Sequence, residues 1–115
     1  MKSDEIARVC HAANRVLQEI QADPTIEVSP PWDECLPETR ASIIDGVLFR
    51  IEHPETTPER SHQNWCDFKI SNGWTVGPVK DETLKQHPLL VPYSELPESA
   101  RVKDELFVAV VDALR

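Results

Sequence analysis

Apolar residues recur at three- and four-residue steps in several stretches of the chain, the spacing of one face of an α-helix. Between Ser3 and Gln21 the stripe is Ile6, Val9, Ala13, Val16, Leu17 and Ile20, with Asp4 and Glu5 where the positive end of a helix favours acids. From Glu38 to about His53 it is Ile43, Ile44, Val47, Leu48 and Ile51, and Pro54 ends it because the residue before a proline avoids the helical region. Thr57-Pro58-Glu59 supplies a capping hydroxyl, a proline at the first helical position and an acid in the first turn. A third helix is therefore expected from Pro58 to about Asn72, with Gly73 suited to the left-handed residue beyond its end. Leu106, Phe107, Val110, Val111 and Leu114 mark a terminal helix that begins near Glu98.

The segments between these stripes read differently. Ala22 to Pro37 holds Pro24, Pro30, Pro31 and Pro37 and only isolated apolar residues, so it is expected to be extended or looped, with Trp32 packed back on the helices. Trp74 to Val79 alternates bulky and small residues, which fits a short extended piece or the edge of a two-stranded ribbon. Asp81 is placed to cap a brief helical turn through Leu84, and two prolines bracket an apolar run from His87 to Tyr93 that should be largely extended. The expected fold is mainly α, about four helices in hairpins with a short two-stranded β segment, in one domain over residues 1–115. No internal repeat or low-complexity tract interrupts it.

Charge narrows the partners. A formal net charge of -8 argues against DNA, RNA and acidic membranes, because affinity for phosphate polymers comes mainly from neutralisation by Lys and Arg. The charge is uneven, however: from Arg60 to Lys103 the bases Arg60, Lys69, Lys80, Lys85, Arg101 and Lys103 balance the acids, and a small anion could bind there. Cys10, Cys35 and Cys66 are odd in number and widely spread, which indicates neither a disulfide framework nor a zinc knuckle and points to a reducing compartment. The first residues lack an apolar run, and no segment approaches the length of a membrane helix, so a cytoplasmic location is expected.

The most unusual local chemistry is His62-Gln63-Asn64-Trp65. Helical positions three apart share a face, so His62 and Trp65 offer a flat π surface beside a hydrogen-bonding imidazole, the two things a purine needs. Cys66 lies four residues after His62, a spacing open to a thiolate–imidazole pair, but mid-helix and away from the electropositive end that lowers a thiol pKa. Ser61 and His62 point a quarter-turn apart and no Gly-x-Ser-x-Gly surrounds the serine, so no enzyme is expected. His11, His53, His62 and His87 show no metal-ligand spacing, and the glycines form neither a phosphate loop nor a calcium loop, so no metal or cofactor is expected.

Taken in order, His62-x-x-Trp65, then Gly73-Trp74-x-x-Gly77-Pro78-Val79-x-Asp81, then His87-Pro88-x-Leu90-Val91-Pro92-Tyr93-x-x-Leu96-Pro97 resemble the signature of the ryanodine-receptor repeat, or RyR domain. The resemblance covers about Pro58 to Leu114, and Ile6 to His53 is similar to the N-terminal extension of small prokaryotic and viral members. Val76 stands where many members carry Tyr, and Leu89 where they carry Cys. The resemblance implies helical hairpins with a short strand pair, an extension over 1–57 before a repeat core over 58–115, and a homodimer standing in for the paired repeats of the receptors. It implies an adenine-containing nucleotide, cyclic and NAD-derived ones included, stacked between Trp65 of two subunits near His62; the mixed charge of the region lets Arg60, Lys69 or Lys80 help at the phosphates. Trp74 and Tyr93 complete the candidate set, although aromatics, glycines and prolines there serve first to shape the turn. The expected role is non-enzymatic sensing or sequestration, which in a phage would amount to a sponge against nucleotide-signalled defence. The competing expectation is a protein-interaction module that grips a partner through Trp32, Trp74 and the proline-rich surfaces.

Overall fold

A computed structural model describes all residues from Met1 to Arg115. The helices are α1 (Ser3–Gln21), α2 (Pro37–Glu52), α3 (Pro58–Ser71) and α4 (Glu98–Leu114). Between α3 and α4 lie β1 (Thr75–Val76) and β2 (Gln86–His87), paired in parallel with Thr75 opposite Gln86 and Val76 opposite His87. Short 3-10 turns at Trp32–Glu34 and Tyr93–Glu95 lead into α2 and α4. The architecture is mainly α, and no helix is long and apolar enough to cross a membrane.

Helix ends follow local chemistry. Glu5 accepts the Lys2 backbone N–H at 3.0 Å at the start of α1, and Ala22 ends it in the left-handed region at φ 49°. Pro37 occupies the first turn of α2, where its missing N–H would have no partner anyway. Thr57 caps α3 by accepting the Arg60 N–H at 3.3 Å, and Gly73 follows that helix at φ 89° as expected.

The apolar core gathers at one end of the bundle, where α1 starts and α4 finishes. Ile6, Ala7, Cys10, Val47 and Val111 are buried together, with Trp32, Ile43, Ile44, Ile51, Phe107 and Val110 packed around them. Clamping the same end, the buried Arg50 guanidinium makes paired hydrogen bonds to Asp112 at 2.9 and 2.7 Å and a further bond to the Thr56 carbonyl, tying α2 to α4.

Toward the other end the helices turn polar residues inward. The buried residues of α3 are His62, Cys66 and Lys69, and α1 buries His11 and Gln18 while Val9, Val16 and Ile20 are exposed. The apolar stripe of α1 therefore identifies the helix but not its buried face. That face is rotated because His11 and Gln18 find partners in the following loop: His11 Nε2 donates to the Pro30 carbonyl at 2.7 Å, and Gln18 exchanges bonds with Ser29 at 2.8 and 3.2 Å. Satisfied in this way, they line an interior that Val16 and Ile20 would otherwise have filled.

Two expectations for the connecting segment are corrected. Asp81 does cap, accepting the N–H groups of Thr83 and Leu84 at 2.9 and 3.0 Å, but the chain forms a turn rather than a helical one, because Asp81 and Gln86 exchange backbone bonds at 2.9 and 3.0 Å and close a hairpin. The stretch from His87 to Tyr93 is extended at His87 in β2 and again at Pro92, with a turn between them. Leu90 N–H then turns back to the His87 carbonyl at 3.4 Å, and Tyr93 opens a 3-10 turn.

Candidate functional site

The inward faces line a partly open cavity of about 220 Å³ between the four helices and the β1–β2 segment, its wall a mixture of polar and apolar side chains. His62, Trp65, Lys69, Trp74 and Lys80 all line it. Arg60 and Tyr93 do not: they border a shallow outer cleft on the other side of the α3 N-terminus, where the Arg60 guanidinium lies 5.8 Å from the Phe49 ring centroid. Tyr93 still backs the site, its ring centroid 6.0 Å from that of His62.

Trp65 is half-buried, with His62 tilted beside it at 5.6 Å and His87 edge-on at 5.0 Å between centroids. Trp74 is buried and fixed by its indole N–H, which donates to Glu38 Oε1 at 2.6 Å. Its ring carries the Lys69 ammonium at 4.5 Å from the centroid. Glu38 also receives Lys85 at 3.3 Å, so hydrogen bonds from Trp74 and then Lys85 hold its carboxyl below the usual range. Lys85 in turn sits at φ 54° and donates to the Asn72 carbonyl at 2.9 Å, which locks the hairpin beneath Trp74.

The histidines are neutral here. Burial, and then the neighbouring Lys80, Lys69 and Lys103, push His87 down to about 3. Its Nδ1 accepts the Leu89 N–H at 3.1 Å, which leaves the ring proton on Nε2. Burial also lowers the pKa of His62, whose Nε2 donates to the Val91 carbonyl at 2.8 Å. On its other side Asp104 Oδ2 lies 3.7 Å from Nδ1. That is the geometry of an ion pair with its charges weakened, because burial drives Asp104 up to about 7, so that it is only partly ionised at neutral pH, while it holds His62 down.

The catalytic pairing of His62 with Cys66 is formed in space but not in chemistry. The sulfur is 3.3 Å from Nε2, yet that nitrogen already donates to Val91, and burial raises the thiol to about 11. A thiolate is absent from such a pair at neutral pH.

Lys103 and Asp104 also line the cavity; the sequence counted Lys103 among the bases of the region but not among the candidate ligands, and did not single out Asp104. The signal was present: Ala100, Lys103, Phe107 and Val111 follow helical spacing, so a cation and its neighbouring acid sit on or beside the apolar stripe of α4 rather than opposite it. Val76, at a position where the resembling repeats carry a tyrosine, is exposed and outside the cavity, whereas Leu89 contributes to its wall.

The sequence model of the RyR domain matches residues 51–111, more than half of the chain and the stretch that carries α3, both strands and most of α4. With His62, Trp65, Trp74 and His87 all falling inside that match and converging on one cavity, the chain belongs to the RyR domain family.

Proposed function

We propose that this chain is a non-enzymatic binding protein that holds an adenine-containing nucleotide in its interior cavity, for sensing or for sequestration. The observation that carries the reading is the cavity in which the half-buried Trp65 meets lysines from separate segments: an aromatic surface for a base beside cations for phosphate. At about 220 Å³ the cavity is smaller than the pockets of ~300 Å³ and above that take drug-sized molecules, which favours a mononucleotide over a dinucleotide such as NAD. The neutral, buried Cys66–His62 pair supports binding over catalysis, and burial of Trp74 removes one of the two aromatic grips that a protein-interaction module would need.

The test is a melting and tryptophan-fluorescence series with AMP, ADP, ATP, cyclic AMP and NAD on the native chain and on Trp65→Ala. A ligand present at a hundred times its Kd stabilises the folded form by about 2.7 kcal/mol. That corresponds to roughly 10 °C for a chain of this size. The reading expects such a rise with at least one mononucleotide and its loss in Trp65→Ala; no response to any of them at millimolar concentration overturns it.

A further inference from the structure

The chain carries 20 Asp and Glu against 12 Lys and Arg, yet it turns lysines inward and leaves them without an ion-paired acid. Lys69 on α3, Lys80 after β1 and Lys103 on α4 all line the cavity, and none has a carboxylate within ion-pair distance, whereas Lys85 does. Lys69 is 6% exposed, and the contact made by its ammonium is the Trp74 ring. Lys80 donates only to the Ser29 hydroxyl, at 3.2 Å. Lys103 donates to no protein acceptor.

These ammonium groups also act on one another. Burial lowers the pKa of each more than the nearby acids Glu38, Glu82 and Asp23 raise it, Lys80 further lowers both Lys69 and Lys103, and all of them press on the neutral His87. Burying like charges together without counter-ions is costly, and water alone does not offset it. The neighbouring acids offset the charge only from a distance: Glu38 is engaged by Trp74 and Lys85, Glu82 lines the cavity but is exposed, Asp23 and Glu27 act without ion-pair contact, and Asp104 is only partly ionised at neutral pH.

We propose that Lys69, Lys80 and Lys103 form an anion seat for the diphosphate group of the ligand, with the Nε2–H of His87 as an uncharged donor among them. The proposal rests on the reading of the cavity as a ligand site and names the ligand class as a nucleoside diphosphate. A phosphomonoester brings about -1.5 to -2 of charge and leaves ammonium charge over; a second phosphate closes the gap. Lysine suits a non-planar, crowded diphosphate because each ammonium offers three freely rotating donors. Trp65, one turn earlier on α3 than Lys69, then faces the base, while Lys69 and the β1–β2 side hold the phosphates.

Calorimetric titration and melting with inorganic pyrophosphate, orthophosphate, adenosine and ADP test the seat on the native chain, Lys69→Met, Lys103→Met and the surface control Lys2→Met. Pyrophosphate alone is expected to bind and to stabilise more than orthophosphate. Lys69→Met and Lys103→Met should each weaken pyrophosphate and ADP by about tenfold and leave adenosine unchanged, since a hydrogen bond to a charged group is worth about one such factor. Both variants should also raise the melting temperature of the ligand-free protein by removing repulsion, a gain that a merely structural lysine would not give. Pyrophosphate binding that is absent, or equal in the native chain and both cavity variants, overturns the seat. If adenosine and ADP bind equally while pyrophosphate is silent, the seat falls and the nucleotide reading stands. Lysine-dependent pyrophosphate binding with no contribution from adenine compounds leaves the seat standing and removes the base.

Discussion

Replacing Asp104 by asparagine isolates the electrostatic state of the cavity wall. Burial raises the Asp104 carboxyl from 3.8 to about 7, a net shift that already contains the opposing attraction of Lys103. Because the folded pKa lies above the unfolded one, the folded chain binds the extra proton between these values. The ionised carboxylate therefore costs stability that is absent below about pH 4, grows through the interval and levels off above about pH 7. The slope is about 1.4 kcal/mol per pH unit, so the full penalty reaches about 4 kcal/mol. At near 4 °C per kcal/mol, Asp104→Asn should melt up to about 15 °C above the native chain at pH 8 and close to it at pH 4. The comparison must be made as a difference, since His87 works the other way. Its pKa is depressed to about 3, so the stability it contributes is present above the unfolded value and lost as pH falls. Across the acidic range the two slopes oppose each other in the native chain, while the difference between native and variant reports Asp104 alone. Melting followed by circular dichroism at half-unit steps from pH 4 to 8.5 gives that difference. A constant offset between the curves, or a native chain more stable than Asp104→Asn at pH 8, would refute the argument.

Asp112→Ala leaves the buried Arg50 guanidinium with only the Thr56 carbonyl and is expected to cost about 2–3 kcal/mol in urea unfolding, below the usual 3–5 for a buried pair because Asp112 is partly open to solvent. Gly77→Ala would place a Cβ 2.6 Å from the Gln86 Cβ and force β1 from β2, at about 1–3 kcal/mol; faster hydrogen exchange at the Thr75 amide, which donates to Lys85, is the specific sign. Cys66, buried with its thiol raised to about 11, should react with a thiol probe at pH 8 only in urea, whereas rapid labelling of the folded chain would reopen the enzyme reading.

The helices were legible in the sequence because prolines and caps punctuate the apolar stripes, and the Gly73 turn because a positive φ there favours glycine. The inward face of α1 was not: an alternation that counts only apolar residues selects Val16 and Ile20 over His11 and Gln18, and only the loop carrying Ser29 and Pro30 reverses that choice. At the site, His62 and Trp65 announced themselves by spacing on one helix. Lys69 and Lys80 could be named as bases but not as neighbours, since their convergence depends on how the β1–β2 segment folds back over α3. Adjacent opposite charges such as Lys103 and Asp104 look like a solvated surface until α3 supplies His62 and the hairpin supplies His87.

The core cluster joins Ile6, Ala7 and Cys10 of the first helix to Val111 of the last, so α1 lacks its main partner until α4 has been made. At a ribosomal rate of about 5–20 residues per second, the nascent chain carries that strip unprotected for several seconds. Completion of the fold is thus set by long-range docking rather than by local helix formation, and a ribosome stalled before Val111 would present a chaperone with an amphipathic helix still waiting for its counterpart.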